Sequence, residues 1–205
     1  MTAAADTPTE GAKRIAEVAA HMFAHKGFQG VSMAALAREV GVGKATIFHH
    51  FPSKESLYFF VLKQACGEVA AFLQEAEEPQ ADPDRAFQDF ARFNMQHLGE
   101  SPDVARLVMR ELMEGDSERL RSLTSEVYAG IFERLQLLIR EGQQAGLYSD
   151  QHDPALVAGI LVGTQLFFAQ TAGSWNHLPG VDFGDQPERF TEGFLDLLLN
   201  GLRPR

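Results

Sequence analysis

Sites that start helices recur along this chain, and they constrain its fold more than any other feature of the sequence. A hydroxyl or carboxylate residue stands directly before proline at Thr7, Asp82, Ser101 and Asp153, which is the arrangement of a helix N-cap followed by proline at the first helical position. Apolar residues between these points repeat every three to four positions, and glycines end the repeats. No stretch alternates apolar and polar residues for long enough to form a strand. The sequence therefore predicts an all-α protein.

These signals divide the chain into segments of different size. They predict about nine helices, at residues 8–26, 33–40, 44–50, 54–77, 83–98, 102–113, 117–145, 154–173 and 187–202. The first three helices are short, and the fourth leads away from them. We therefore expect a disordered tail at 1–7, a small N-terminal helical unit at 8–52 and a larger C-terminal helical bundle at 53–205.

Charge is distributed unevenly between these two parts. The 205 residues carry a net charge of −10, which argues against a protein that coats nucleic acid through bulk charge. Residues 1–60 contain six basic and five acidic residues, whereas the other 145 residues contain twelve basic and 23 acidic ones. One small end of the protein can therefore approach phosphate, while the acidic body opposes it.

The expected location is the cytoplasm. Cys66 is the one cysteine, so an intramolecular disulfide is excluded, which fits a reducing compartment, and the N-terminus lacks the pattern of a secretory signal. Residues 154–181 contain no Asp, Glu, Lys or Arg, so a membrane span has to be considered. Glutamines and threonines interrupt that stretch and no basic cluster flanks it, which favours a buried helix in a protein with no membrane partner.

Residues 32–51, which read SMAALAREVGVGKATIFHHF, form the most specific motif in the chain. Apolar or small residues recur there at the spacing that packs two short helices across a tight turn: Leu36, Ala37, Val40, Val42 and Ile47. Gly41 supplies the positive φ that such a turn needs. The motif therefore has the mechanics of a helix-turn-helix, in which the second helix, opening at Lys44, enters the DNA major groove.

The stretch Val31–Leu57, which ends in IFHHFPSKESL, resembles the DNA-binding end of TetR/AcrR-type transcriptional regulators. The Phe-Pro-Ser-Lys-Glu element that opens the fourth helix is characteristic of that family. The resemblance covers residues 10–60, and the remaining bundle is similar to the family only in helix number and length. It implies a DNA-binding repressor whose bundle binds a small effector and whose last two helices pair with a second copy.

The resemblance also implies a set of DNA-contacting residues, namely Ser32, Gly43, Lys44, Thr46, Phe48, His49, His50 and Lys54. Lys54 stands at a helix N-terminus, where phosphate is favoured even before a side chain is counted. Gly43 replaces the usual serine or threonine, and Phe48 replaces the usual tyrosine, so two hydroxyl contacts are missing. His50 either packs beneath the recognition helix or contacts DNA, and both alternatives remain open.

Sixteen phenylalanines indicate either a large aromatic core or a cavity for an apolar or aromatic effector. Polar residues on apolar helix faces favour a cavity, because a buried amide needs partners, although a core amide or an intersubunit hydrogen bond explains them equally well. The expected effector-binding residues are Phe90, Asn94, His97, Met109, Met113, Tyr128, Phe132, Gln165, Phe168 and Thr171.

Two further patterns support a homodimer through the last two helices. Ala155, Gly159 and Gly163 form a strip of small residues at a spacing of four, which allows close approach of helices. The last helix has an apolar face made by Leu195, Leu198, Leu199 and Leu202. A dimer would read two half-sites, so the double-stranded DNA operator should be roughly palindromic.

Catalytic and metal sites are not expected. The chain has no nucleophile elbow and no nucleotide-binding glycine loop, so we expect neither an enzyme nor a cofactor. Glu17, His21 and His25 stand one helical turn apart on one helix, so the two imidazoles could share a metal ion, but no fourth ligand is evident and a solvated face is favoured. Two alternatives remain: an all-helical small-molecule-binding protein without sequence-specific DNA binding, and a helical enzyme with an acid/base set around Glu111, Glu114 and His97.

Overall fold

The computed structural model describes residues 8–75, 82–114 and 117–202. Helices account for the regular structure of these ranges, and no strand occurs within them. The helices are α1 Glu10–Gly30, α2 Met33–Val40, α3 Lys44–His50, α4 Lys54–Glu75, α5 Pro83–Glu100, α6 Pro102–Glu114, α7 Ser117–Leu123, a π-helical turn Thr124–Tyr128, α8 Ala129–Gln144, α9 Pro154–Trp175 and α10 Pro187–Leu202. The predicted all-α class is confirmed, and the tail predicted at residues 1–7 lies outside the described residues.

The π-helical turn joins α7 to α8 without a break. Leu123 before it and Ala129 after it both have right-handed helical backbone angles, so residues 117–144 run as one long helix, and the described chain forms nine helical rods. The sequence predicted this rod but not its π turn. The wider turn shifts the helical phase, so α7 and α8 present different faces than one uninterrupted α-helix would.

The first helix differs from its prediction at both ends. It begins at Glu10, where the Thr9 side chain accepts a hydrogen bond from the Ala12 amide at 3.2 Å. It also continues past the predicted stop, because the chain kinks at Gly27 (φ 71°, ψ 168°) and then makes one more turn. A β-carbon at Gly27 would lie 2.7 Å from Arg110 Nη1, which the flexible arginine can relieve by moving, so it is the backbone angle that requires glycine there.

Two apolar cores hold the helices together. The first joins α1, α2 and α3 to the start of α4 and to α6, with Phe23, Leu36 and Ile47 fully buried. The second joins the later part of α4 to α5, α8, α9 and α10, with Phe87 and Leu161 fully buried. Helix α4 contributes to both cores, so it links the N-terminal unit to the bundle.

Two of the described helices, α4 and α9, are long and apolar enough to cross a membrane by length and composition. Both contribute residues to the cores, such as Leu62 of α4 and Leu161 of α9. The α9 residue Gln165 is fully buried and hydrogen-bonded within the bundle. These contacts are those of core helices in a folded bundle.

Candidate nucleic-acid interface and internal cavity

A tight turn sets the angle between α2 and α3. Gly41 adopts left-handed angles (φ 78°, ψ 34°), and the amides of Gly41 and Val42 both donate to the Ala37 carbonyl at 3.0 Å. Ile47 is the fully buried anchor of α3. The short helix is thus held from one side, and its other side is left to solvent.

The solvent-facing side of α3 carries Lys44, Ala45, Thr46, Phe48 and His49, all of which are exposed. The Lys44 ammonium lies 5.4 Å from the centre of the Phe48 ring. The sequence analysis named four of these residues and missed Ala45. The position of Ala45 between Lys44 and Thr46 was the signal that could have identified it. Together they form a convex surface narrow enough to enter a DNA groove.

His50 has a different environment from the rest of α3. It is half-buried, and its Nε2 lies 3.0 Å from the place that a β-carbon on Gly11 of α1 would occupy. The imidazole therefore packs against α1 beneath the recognition helix, which is the first of the two alternatives that the sequence left open.

The three remaining predicted residues flank α3. Ser32 is exposed and caps α2 by accepting from the Ala35 amide at 3.1 Å, and Gly43 caps α3 without a side-chain hydrogen bond. Lys54 is turned inward: its Nζ donates to the Phe28 carbonyl at 3.0 Å and lies 4.1 Å over the Phe28 ring. Its ammonium thus ties α4 to the end of α1 and does not occupy the phosphate-facing position expected for it.

A partly open cavity of about 620 Å³ lies between α4, α5, α6, α8, α9 and the π turn, and the exposed residues Gly159 and Gly163 are part of its lining. Most of its lining is apolar, from residues such as Val69, Val108 and Ile131. The polar or ionisable residues at its wall are Cys66, Asn94, His97, Thr124, Tyr128, Glu133 and Gln136.

Five of the ten predicted effector residues line this cavity, namely Phe90, Asn94, His97, Tyr128 and Phe132. The other five do not line it, namely Met109, Met113, Gln165, Phe168 and Thr171. Met113 points to solvent with 78% of its surface exposed. Met109 packs on the first core, and Phe168 stacks on Phe190 with ring centres 3.9 Å apart.

The two misplaced polar residues are satisfied elsewhere. Gln165 accepts from Asn94 Nδ2 at 2.8 Å and donates to the Ala91 carbonyl at 2.6 Å, so it is the core amide that the sequence offered as an alternative. Thr171 donates to the Phe167 carbonyl and accepts from Trp175 Nε1. Hydrogen bonds within the bundle, not a ligand, satisfy both side chains.

Tyr128 and Cys66 place two polar but uncharged groups, a hydroxyl and a thiol, at the cavity wall. Among the described residues the buried Tyr128 hydroxyl has no hydrogen-bond partner. Burial, with the nearby Cys66 and Glu111, raises the pKa of Tyr128 above its ordinary value, and burial raises the pKa of the Cys66 thiol to about 12. Both groups therefore stay protonated and uncharged at neutral pH.

A buried polar network, defined here as the Glu111 network, connects α4, α6 and α7 next to helices α1–α3, which are called the recognition unit below. The Glu111 carboxylate, 2% exposed, accepts from the Tyr58 hydroxyl at 2.7 Å and from Arg119 Nε at 2.9 Å. The Arg119 guanidinium also lies 4.4 Å from the centre of the Phe28 ring. The network thus joins the cavity-lining helix α6 to the end of α1.

The described residues that were named for a helical enzyme, Glu111 and His97, are hydrogen-bonded to other groups. Glu111 is held in the network above, and the side chain of Glu114 lies outside the described residues. His97 pairs through Nδ1 with Glu68 at 3.2 Å and through Nε2 with the Ala65 carbonyl at 3.3 Å. Glu111 and His97 thus have different hydrogen-bond partners in the structure.

The last helix corrects one sequence-based argument. Leu195, Leu199 and Leu202 are buried in the core of their own bundle, and Leu198 is half-buried against it, so this apolar face is covered within one chain. The large apolar residues that α9 and α10 expose are Leu156 (59%), Ile160 (41%) and Phe167 (54%) of α9 and Leu197 (76%) of α10. Gly159 and Gly163 are exposed beside the α9 residues.

An exposed helix-turn-helix carried on a helical bundle with an internal apolar cavity defines a ligand-binding transcriptional regulator. Residues 15–59 match the family model described as bacterial regulatory proteins, tetR family, and residues 83–191 match the tetracyclin repressor-like C-terminal domain. The chain belongs to the TetR family of DNA-binding transcriptional regulators.

Relatives agree with this assignment. The chain is 28% identical over 198 residues to the HTH-type transcriptional regulator RutR of Escherichia coli, covering 94% of this chain and 91% of RutR. It is 28% identical over 138 residues to the nucleoid occlusion factor SlmA of Shewanella halifaxensis, covering 65% of this chain and 68% of SlmA. Its fold is similar to FadR of Bacillus subtilis, solved with stearoyl-CoA, with a TM-score of 0.76 at 21% identity over 92% of this chain and 98% of FadR.

Proposed function

We propose that this protein is a cytoplasmic, homodimeric repressor that leaves a palindromic operator when a small apolar effector enters the cavity. The observation that carries the proposal is the course of α4. This helix begins directly after the recognition helix and lines the cavity at Ala65, Cys66 and Val69. In this proposal residues 8–52 form the DNA-binding domain, and residues 53–205 form the effector-binding and dimerisation domain.

The chemistry of the cavity lining suits a neutral apolar or aromatic effector. Its described lining includes the acidic Glu133 and neither lysine nor arginine, so a buried anionic group would lack a counter-charge. FadR of Bacillus subtilis was solved with stearoyl-CoA, whose acyl chain is apolar, and this lining suits an apolar chain or ring in the same way. The Tyr128 hydroxyl is the hydrogen-bonding partner for one polar atom of the effector.

The coupling between the two sites is a shift between two conformations. An effector that prefers the conformation with a displaced α4 lowers operator affinity, and each tenfold loss requires about 1.4 kcal/mol of differential binding. The Glu111 network and the contact of Lys54 with Phe28 transmit the displacement, because both tie α4 to the end of α1.

Dimerisation is proposed through the exposed apolar residues of α9 and α10. Ile160→Glu places a charge between the exposed apolar residues Leu156 and Phe167 of α9. It should give a monomer in analytical ultracentrifugation. Leu178→Glu is the matched control, because Leu178 is an exposed apolar residue (53%, against 41% for Ile160) that lies outside both helices. A dimeric Ile160→Glu variant would place the interface elsewhere.

DNA binding is tested by selecting the purified protein against a random duplex pool and sequencing the bound DNA. We expect a near-palindromic operator. Lys44→Ala should weaken operator binding and reduce the slope of log affinity against log salt by about one, whereas Arg85→Ala, an equal change of charge on α5, should change neither. No enrichment by a folded dimer would favour the alternative of a small-molecule-binding protein without sequence-specific DNA binding.

Cavity occupancy can be read from Cys66, the one cysteine of the chain. A neutral apolar fluorophore, N-phenyl-1-naphthylamine, should slow alkylation of Cys66 and gain fluorescence on binding. Ala65→Trp fills the cavity from α4 and should abolish both effects, whereas Ala34→Trp, at an exposed site on α2, should leave them unchanged. Equal alkylation rates with and without the fluorophore would contradict an accessible apolar site.

A further inference from the structure

A cluster of metal-binding side chains lies outside both the recognition surface and the cavity. His21 and His25 stand one turn apart on α1, with ring centres 4.4 Å apart. Asp103, from the first turn of α6, reaches both imidazoles: its Oδ2 is 2.8 Å from His21 Nδ1 and its Oδ1 is 3.0 Å from His25 Nε2. The sequence showed the histidine pair, and the fold supplies a third ligand 78 residues away from His25.

We propose that His21, His25 and Asp103 bind a divalent transition-metal ion of the Zn²⁺ class and thereby join α1 to α6. Two imidazole nitrogens and a carboxylate oxygen are a ligand set that Zn²⁺ accepts, with solvent completing a tetrahedron. The three ligand atoms already lie within 4.8 Å of one another. Ligands about 2.1 Å from Zn²⁺ in a tetrahedron are separated by about 3.4 Å, so the nitrogen–oxygen distances of 2.8 and 3.0 Å widen by about 0.4–0.6 Å on binding, and any ligand pair near the 4.8 Å limit contracts.

Arg106 is the charged neighbour that opposes the ion. Its Nη1 lies 2.9 and 3.0 Å from the two ring nitrogens of His25 and 3.7 Å from Asp103 Oδ1. The side chain is partly exposed and belongs to the same helix as Asp103, so it swings into solvent when the metal binds. Removal of this competing cation therefore strengthens metal binding.

The position of the site gives it a regulatory consequence. Helix α1 belongs to the recognition unit, whereas α6 lines the cavity at Val104 and Val108. A metal bridge fixes one helix against the other, so it favours the conformation that has this α1–α6 spacing. This consequence rests on the proposed function, but metal binding itself does not.

The experiment is a titration of the full-length protein with Zn²⁺, followed by calorimetry and by thermal unfolding. We expect one ion per chain and a rise in melting temperature. His25→Ala and Asp103→Asn should each weaken binding at least tenfold, and Arg106→Met should tighten it severalfold. The matched control is His177→Ala, which removes an exposed histidine from the loop after α9 and should leave the affinity unchanged.

Co²⁺ supplies a readout that does not depend on stability or DNA. The wild-type protein with Co²⁺ should show the intense visible absorption of a tetrahedral site, and Asp103→Asn should change that spectrum. Unfolding of the metal-free variants identifies any that fail to fold, and Arg106→Met then decides, because folding damage does not tighten binding. Equal Zn²⁺ affinity in the wild type, His25→Ala and Asp103→Asn would overturn the site, whatever the outcome of the operator experiments.

Discussion

Substitutions in the Glu111 network allow a quantitative test of how the recognition unit is joined to the helical bundle. Arg119→Met keeps most of the aliphatic bulk of the side chain but removes the guanidinium that contacts Glu111 at 2.9 Å. Loss of one partner from a buried ion pair costs about 3–5 kcal/mol. Tyr58→Phe removes one hydrogen bond to a charged acceptor and costs about 1.5–3 kcal/mol.

These losses of unfolding free energy can be converted into changes in melting temperature, because the conversion factor depends on chain length. A loss of 1 kcal/mol lowers the melting temperature of a protein of this length by about 2–4 °C. Arg119→Met should therefore lower it by about 6–20 °C and Tyr58→Phe by about 3–12 °C, measured by circular dichroism at one fixed protein concentration because the proposed dimer makes melting concentration-dependent.

The melting temperature of the triple variant Tyr58→Phe/Glu111→Leu/Arg119→Met tests whether these contacts act as one network. It removes Glu111 together with the two described donors to its carboxylate, so that carboxylate is not left buried without them, and such replacements are often neutral or stabilising. The triple variant should melt well above Arg119→Met while losing effector control of operator binding. If the losses simply add, so that the triple variant is the least stable, the contacts do not act as one network.

Three further predictions concern single positions. Gly27→Ala should destabilise the protein by about 1–3 kcal/mol, because its backbone angles are nearly restricted to glycine, whereas Gly99→Ala, with nothing within 4 Å, should not lower the melting temperature. Alkylation of Cys66, whose pKa is raised from 9.0 to about 12, should be about a thousandfold slower at pH 8 in the native than in the unfolded protein and should keep accelerating above pH 9. Tyr128→Phe should leave binding of a hydrocarbon unchanged and weaken binding of an effector that carries a hydrogen-bonding group by about 1–2 kcal/mol, measured by calorimetry.

Local chemistry explains what could be predicted from the sequence. The caps at Asp82 and Asp153 and the turn at Gly41 each depend on residues within four positions, so sequence patterns contain them. The exposed face of α3 follows in the same way, because one buried anchor, Ile47, fixes which side of a short helix is free.

Long-range packing explains the failures. Gln165 lies within one turn of the cavity residues Val162 and Leu166 on α9, and only its long-range contacts with Asn94 and Ala91 of α5 show that it is a core amide. Met113 directly follows the cavity residue Leu112 on α6 but points to solvent. The inward turn of Lys54 depends on the carbonyl of Phe28, 26 residues away. Asp103 approaches the two histidines of α1 only because α6 packs along that helix.

The length of α4 determines how small a movement can release DNA. Its 22 residues extend about 33 Å, and the contact of Lys54 with Phe28 makes the recognition unit follow its first turn. A rotation of about 5° about the far end displaces that first turn by about 3 Å. In a two-fold dimer the separation of the recognition helices then changes by up to about 6 Å, against a half-site spacing of about 34 Å. In the proposed dimer, a ligand that moves the cavity wall by less than the width of a methyl group is therefore enough to put the two helices out of register with successive major grooves.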